Sequence, residues 1–271
     1  MVVLNGLLRP AVAAASLGAG SFNKRAGSIS SDCAAASTLP LSCSTDSSQG
    51  TCCFEAPGGL ILQTQFWDTS TETGPTDSFT IHGLWPDNCD GTFEESCDPS
   101  RDYTGISSLL TEQGATSTLD FMNQFWLNDP DDGSNEELWE VNEWAEHGTC
   151  YSTLEVNCLP SGSPQGAEAV AFFEQVVTIF QTLPTYTWLT NQGITPDSST
   201  THTYTALTDA LQAEAGVIPA LQCDGSDLSE VYWYFNLRGS IIDGEFEPID
   251  APSKGSCSSS GIKWLPKTIK N

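Results

Sequence analysis

Short apolar runs separated by stretches of Ser, Thr, Gly and Pro set the rhythm of this chain. Residues 60–67 (LILQTQFW) and 79–85 (FTIHGLW) are rich in apolar and aromatic side chains and are divided by a polar loop, so both read as strands. Residues 231–237 (VYWYFNL) read as a third, ended by Arg238-Gly239. Elsewhere the period is helical. Over 167–183, Val170, Phe173, Val177 and Phe180 recur at spacings of three and four, the mark of an amphipathic helix. Over 119–127, Leu119, Met122, Phe125 and Trp126 share one face, and Asp129-Pro130 closes the segment. Residues 136–150 and 205–215 are also expected to be helical, and the Ser/Thr/Ala-rich stretch 28–50 to be a surface arm tied down by Cys33 and Cys43. Strands and helices in mixed order, without a βαβ period, predict an α+β fold. No repeat or linker divides the chain, which points to one domain, assigned to residues 26–271.

Composition narrows the function classes. A chain of 271 residues can bury a substantial core, and 39% hydrophobic against 16% charged residues fits a loop-rich globular protein. Lys and Arg total 9 against 35 Asp and Glu, for a formal net charge of −26. Such a surface repels polyanions at neutral pH and lacks the clustered cations of a phosphate-gripping face. Turnover of an anionic substrate in an acid medium remains compatible with it, because carboxylates protonate as pH falls toward about 4.

The cysteine count is even, at ten: Cys33, Cys43, Cys52, Cys53, Cys89, Cys97, Cys150, Cys158, Cys223 and Cys257. Five disulfides are the natural reading, with reduced core thiols of a cytosolic protein as the alternative. Residues 1–8 and 11–20 are largely apolar, interrupted by Arg9-Pro10, and Lys24-Arg25 offers a dibasic processing site. Residues 1–25 are therefore expected to be a signal peptide and short propeptide, and the mature protein to be secreted or held in an acidic vacuole-like compartment. No later apolar run reaches the roughly 18 residues of a membrane helix, and no N-x-[ST] sequon occurs.

Three histidines are present, and two keep unusual company. His82 lies in the second strand; His147 follows Glu143 by four residues, so in an α-helix the carboxylate could orient or charge the imidazole. Two imidazoles with a carboxylate suit acid–base cleavage of a phosphodiester, since imidazole gives and takes protons near pH 6.5. Blander readings are open on the same residues. His82 could be a packed or solvated strand residue, Glu143 with His147 a helix-stabilising pair or two metal ligands, although no third ligand stands at a recognisable spacing. His202, in a polar stretch, reads as a surface residue.

The segments FTIHGLWPDNCDG and EWAEHGTC resemble the two active-site segments of the ribonuclease T2 family. The likeness extends to Cys52-Cys53-Phe54, LQTQFWD, YWYFNLRGS and SGIKWLPK, covers essentially everything after Cys33, and is nearest to secreted fungal members. It implies a central antiparallel sheet with flanking helices, and an endoribonuclease acting on single-stranded RNA, not DNA, without metal or other cofactor; a monomer is the default for a secreted enzyme of this size. Carried over by position, it makes His82 the general acid, His147 the general base, and Glu143 the group that polarises the phosphate. Trp85 and Asp87 match base-binding positions, and Phe93 stands where some relatives stack a tyrosine. It further implies the disulfides Cys33–Cys53, Cys43–Cys89, Cys52–Cys158, Cys97–Cys150 and Cys223–Cys257.

Two positions depart from the family pattern His-Glu-x-x-Lys-His. Asn142 replaces a phosphate-binding histidine, and Glu146 replaces a lysine that stabilises the pentacovalent phosphorane. At ~5 Å and an effective dielectric of ~20, one unit charge is worth about 3 kcal/mol, so losing the cation would slow turnover about 100-fold. An attenuated enzyme is the expectation; a catalytically silent relative used for binding is the alternative.

Overall fold

The computed structural model describes residues 33–34, 36–44, 50–69, 74–129 and 131–268. The expected leader and propeptide over residues 1–25 lie outside the described residues. In chain order the elements are β1 (Leu60–Phe66), β2 (Thr80–Asp87), α1 (Ile106–Glu112), α2 (Thr116–Phe125), a single turn α3 (Asn135–Glu137) running into a π-helical segment (Leu138–Ala145), α4 (Ala167–Thr182), α5 (Thr185–Asn191), β3 (His202–Thr203), α6 (Tyr204–Ala215), β4 (Ala220–Asp224), β5 (Asp227–Arg238), β6 (Glu245–Ile249) and β7 (Ser260–Ile262).

The main sheet runs β2-β1-β5-β4 and is antiparallel throughout. β5 is long enough to pair β4 with its first half and β6 with its second along one edge, while β1 takes the other. Alternation along β5 sends Val231, Trp233, Phe235 and Leu237 to the helical side, where they join Ile61, Ile81 and Leu84 in the principal core. α4 lies across that face against α1, α2, β1 and β2. It buries the predicted Val170, Phe173, Val177 and Phe180 together with Ala169, Phe172, Val176 and Ile179, so it is enclosed on most sides, more than an amphipathic surface helix would be. The opposite face carries a smaller cluster of Leu60, Leu62, Ala220 and Tyr234, flanked by Trp85 and Tyr232.

The sequence-based outline needs several corrections. α2 starts three residues earlier than expected, and Trp126 caps it through its backbone N–H to Met122 O. The short elements α1, α5, β4 and β6 are additional, as is the β3–β7 ribbon that sets His202, half-buried, opposite Ile262. The arm before β1 is anchored more deeply than a surface arm: Ser42 is fully buried, and its N–H and hydroxyl bond the Leu237 and Gly59 carbonyls.

The largest correction concerns residues 136–150, which are not one α-helix. After α3 the backbone widens to the π register, with Glu146 N–H bonded five residues back to Val141 O at 3.1 Å. The reason lies in the side chains. Leu138 and Glu143, and Trp139 and Trp144, are buried pairs five apart. An α-helix would turn such partners well away from each other; the wider register brings them inward together. Trp139 Nε1 then donates to Trp126 O (3.1 Å) and Trp144 Nε1 to Arg101 O (2.6 Å). His147 follows at a corner, before the 3-10 turn Gly148–Cys150. Buried Arg101 secures that corner through Thr149 O, Leu154 O and Asp98.

The five disulfides of the structure are Cys33–Cys53, Cys43–Cys89, Cys52–Cys158, Cys97–Cys150 and Cys223–Cys257, the set that the resemblance implies. Cys52–Cys158 spans 106 residues and ties the entry to β1 to the segment beyond the histidine corner. Closing a loop of that length restricts the unfolded chain by about 4–5 kcal/mol in the chain-entropy picture. The double variant Cys52→Ala/Cys158→Ala is accordingly expected to lose ~4 kcal/mol in urea unfolding; a loss below ~1 kcal/mol would show that the bridge restrains little.

Candidate active site

The site begins with an irregularity in β2. Thr64 of β1 faces Gly83 and the next residue, Gln65, faces Ile81, so His82 is an extra residue, a β-bulge. In a regular strand His82 and Trp85 would point to opposite faces. The bulge places both on the face away from the helices, while Ile81 and Leu84, also three apart, both enter the core. Side chains hold the displaced backbone: Trp126 Nε1 donates to His82 O (2.8 Å), Gly83 N–H to Thr64 Oγ1 (3.0 Å), and Gln63 Nε2 to Gly83 O (2.9 Å). Gly83 has no room for a side chain, because a Cβ there would overlap the Glu143 carboxylate and the Trp85 indole nitrogen.

Two imidazoles meet one indole above this bulge. The His82 ring stacks on Phe66 at 3.9 Å, presents its edge side to Trp85 at 4.7 Å, and places Nδ1 3.0 Å from Glu230 Oε2. His147, brought in from the corner after the π segment, stacks on Trp85 at 4.9 Å. Glu143 is buried beneath the indole. The Trp85 N–H is near enough to favour its ionised form, yet neither Trp85 Nε1 nor Glu143 Oε2 closes a hydrogen bond.

These surroundings set the proton states. Burial, and secondarily the charge of His82, push the His147 imidazole down to about 4. Burial pushes Glu143 well above the carboxylate range, against the pull of Trp85 and with a further push from Glu146. Glu146 is itself raised, by burial and then by the charge and hydrogen bond of Glu95. Its Oε1 lies 4.0 Å from His147 Nε2, too far for a hydrogen bond. Asp87, at the end of β2, is raised to about 6 by burial.

Comparison with known proteins places this arrangement. Residues 58–244 match the Ribonuclease T2 family. The chain belongs to that family. It is 81% identical over 239 residues to Ribonuclease Le2 of Lentinula edodes, an alignment covering 88% of this chain and 98% of the relative. It is 44% identical to Ribonuclease T2 of Aspergillus oryzae, over 86% of this chain and 84% of that one. The crystal structure of Actibind, a T2 ribonuclease, is similar with a TM-score of 0.80 at 44% identity, covering 87% of this chain and 98% of that chain.

Within this T2-family site the sequence-derived residues divide into two groups. His82, Trp85, Glu143 and His147 are brought together, with Glu146 beside His147 and Asp87 on the same strand face as Trp85. Phe93 is not: it stands 59% exposed on the loop after β2 and makes no ring contact among the described residues. Asn142 is exposed on the π segment. Among the described residues no hydrogen bond or ion pair joins Glu143 to His147, the possibility their four-residue spacing left open; the carboxylate that meets an imidazole is Glu230, on His82. Sequence reasoning missed Glu230, Phe66 and Tyr232. Their signal was strand alternation, which puts Glu230 and Tyr232 on the face opposite Val231 and Trp233.

The T2-family chain brings no fixed cation to this site among the described residues. Arg101 is buried at the corner, Arg238 bonds Leu39 O and Glu247, Lys254 bonds Cys257 O, Lys263 pairs with Asp227, and Lys267 sits over Trp67 and bonds Ser78 O. Positive charge at the site therefore comes from imidazole protonation. In an NMR titration of the histidine ring signals, His147 is expected to titrate near 4, far below the ordinary 6.5. A midpoint at or above 6 would mean that water reaches the ring freely.

Proposed function

We propose that this protein is a secreted endoribonuclease that cleaves single-stranded RNA through a 2′,3′-cyclic phosphate, with no metal or other cofactor taking part. The observation that carries the reading is the pair of imidazoles on one indole in opposite settings, His82 against a carboxylate and His147 largely buried with no carboxylate in hydrogen-bond reach among the described residues. A histidine that stays neutral in acid is suited to take a proton; one held by a carboxylate is suited to carry and give one.

His147 takes the proton of the ribose 2′-hydroxyl, whose oxygen attacks the adjacent phosphorus. His82 gives its proton to the departing 5′-oxygen, leaving a cyclic phosphate. In the second step water adds at phosphorus, His82 now accepting its proton and His147 returning one to the 2′-oxygen, so that a 3′-phosphate results. DNA lacks the 2′-hydroxyl that starts the sequence. Glu143, held protonated by burial, donates a hydrogen bond to a non-bridging phosphate oxygen that strengthens as charge accumulates there. Trp85 offers a stacking face to a base, Asp87 a hydrogen-bonding carboxyl at its side, Phe93 a second ring from the exposed loop after β2, and Asn142 a neutral donor to phosphate. The five disulfides support export to an oxidising medium.

Purified protein is expected to cleave single-stranded RNA in excess EDTA, and His82→Ala or His147→Ala to lower the rate by ~10²–10⁴-fold. The rate should climb as pH rises through about 4, where His147 loses its proton, and decline above about 6, where Asp87 ionises. Loss of cleavage in EDTA would sink the metal-free reaction, and a well-folded wild type without activity at any pH would leave a binding protein as the better reading.

Glu146 attenuates this enzyme by placing a carboxyl where negative charge develops, and its upward shift makes that effect depend on pH. Glu146→Lys is expected to raise kcat up to ~100-fold at pH 7 and less at pH 4, because the upward shift of the wild-type carboxyl leaves less of it charged in acid. Equal rates for variant and wild type at both pH values would show that the phosphorane does not feel this position.

A further inference from the structure

Glu230 reaches His82 from two strands away. It lies on β5, opposite Phe66 of β1 on one side and Gln222 of β4 on the other, and its carboxylate meets His82 of β2 beyond Phe66. Tyr232, next on the same face of β5, has its phenol raised by burial and by the Glu230 charge. Among the described residues no Lys or Arg pairs with Glu230, so its ionic partner is the imidazole.

Three contacts fix the His82 ring. Phe66 lies parallel to it at 16° and sets its plane, Trp85 closes a second side, and Glu230 sets the rotation within the plane. With Nδ1 committed to Glu230, only Nε2 is left to meet a substrate. A carboxylate accepts from N–H alone, so the neutral ring keeps its proton on Nδ1 and the second proton, when bound, sits on Nε2. Among the described residues His147 has no such partner, its nearest carboxyl oxygen being the 4.0 Å contact of Glu146.

We propose that Glu230 is the positioning residue of the general acid: by holding Nδ1–H of His82 it keeps the transferable proton on Nε2 and directs it at the leaving oxygen, and so decides which histidine is acid and which is base. This rests on the reading of His82 as general acid above. Glu230 touches no reacting atom and acts through the ring.

The test compares two substrates that differ in leaving group. RNA expels a ribose 5′-alkoxide, which needs a proton; a ribonucleoside 3′-(4-nitrophenyl phosphate) expels a phenolate, which leaves without one. Wild type, Glu230→Gln, Glu230→Ala, His82→Ala and His147→Ala would be assayed on both. On RNA, Glu230→Ala is expected to lose ~10–100-fold in kcat with KM little changed, and Glu230→Gln less, since its carboxamide oxygen still accepts from Nδ1–H. On the aryl ester both Glu230 variants should stay within about threefold of wild type and His82→Ala should lose far less than it loses on RNA, whereas His147→Ala loses activity on both substrates. Equal losses on the two substrates for Glu230→Gln, with an unchanged melting temperature, would overturn the proposal by making Glu230 a support of the site's shape. Unchanged RNA cleavage in both Glu230 variants would overturn it as well. A His82→Ala variant that keeps full RNA cleavage, or loses the aryl ester as heavily as RNA, would instead remove the acid assignment itself and the proposal with it.

Discussion

A strand can show residues three apart on one face only by breaking its own alternation, and β2 does so at His82. Everything on the open face of the sheet depends on that break. Without it Trp85 or His82 would be turned into the core, and the indole could not touch both imidazoles. An unpaired backbone group in such a place costs about 1–3 kcal/mol if nothing satisfies it. Here Trp126, Thr64 and Gln63 supply the bonds. The first of these also links the two halves of the site, since Trp126 O in turn accepts from Trp139 of the π segment. The indole N–H groups thus form a chain of fixed distances from the bulge to the segment that carries Glu143 and leads to His147.

The parts of the fold that were legible in the sequence are those whose side chains repeat strongly. β1, β5 and α4 announce themselves through dense apolar residues at periods of two or of three to four. The short edge strands β4 and β6 do not, because they are half exposed and carry Asp, Glu and Pro. The bulge was hidden for a local reason: TIHGLW reads as ordinary alternation, and nothing in six residues tells that one of them is surplus. The π segment was hidden by the assumption of 3.6 residues per turn, although the five-residue recurrence of Leu138 with Glu143 and of Trp139 with Trp144 is present in the sequence. Glu230 was hidden by distance, its partner standing 148 positions away in the chain. The histidines, Glu143 and Trp85 were legible through long ordered motifs, whereas the exposed placement of Phe93 depends on a loop that no motif describes.

Burial does different work on the two sides of Trp85. On one side it strips water from His147 and Glu143, which leaves an imidazole without its proton and a carboxyl with one under the same mildly acid conditions. On the other, the Glu230 carboxylate gives His82 the counter-charge that His147 lacks. A sheet and a wide helical turn have thereby made two chemically identical side chains unequal, with neutral hydrogen-bond donors in the space between.

The employment of the described Lys and Arg residues elsewhere has a consequence for how RNA comes and goes. Most nucleic-acid proteins lose affinity as salt is added, because each phosphate contact displaces condensed counterions. A chain of net charge −26 with its described cations tied down has little of that to lose and a long-range repulsion to shed. Raising ionic strength toward 0.1 M shortens the screening length to about 10 Å, which hides the surface from an approaching strand while leaving stacking and hydrogen bonds at close range intact. The salt dependence of KM should therefore be inverted or flat. The same field acts on the cleaved RNA, which remains polyanionic, and hastens its departure.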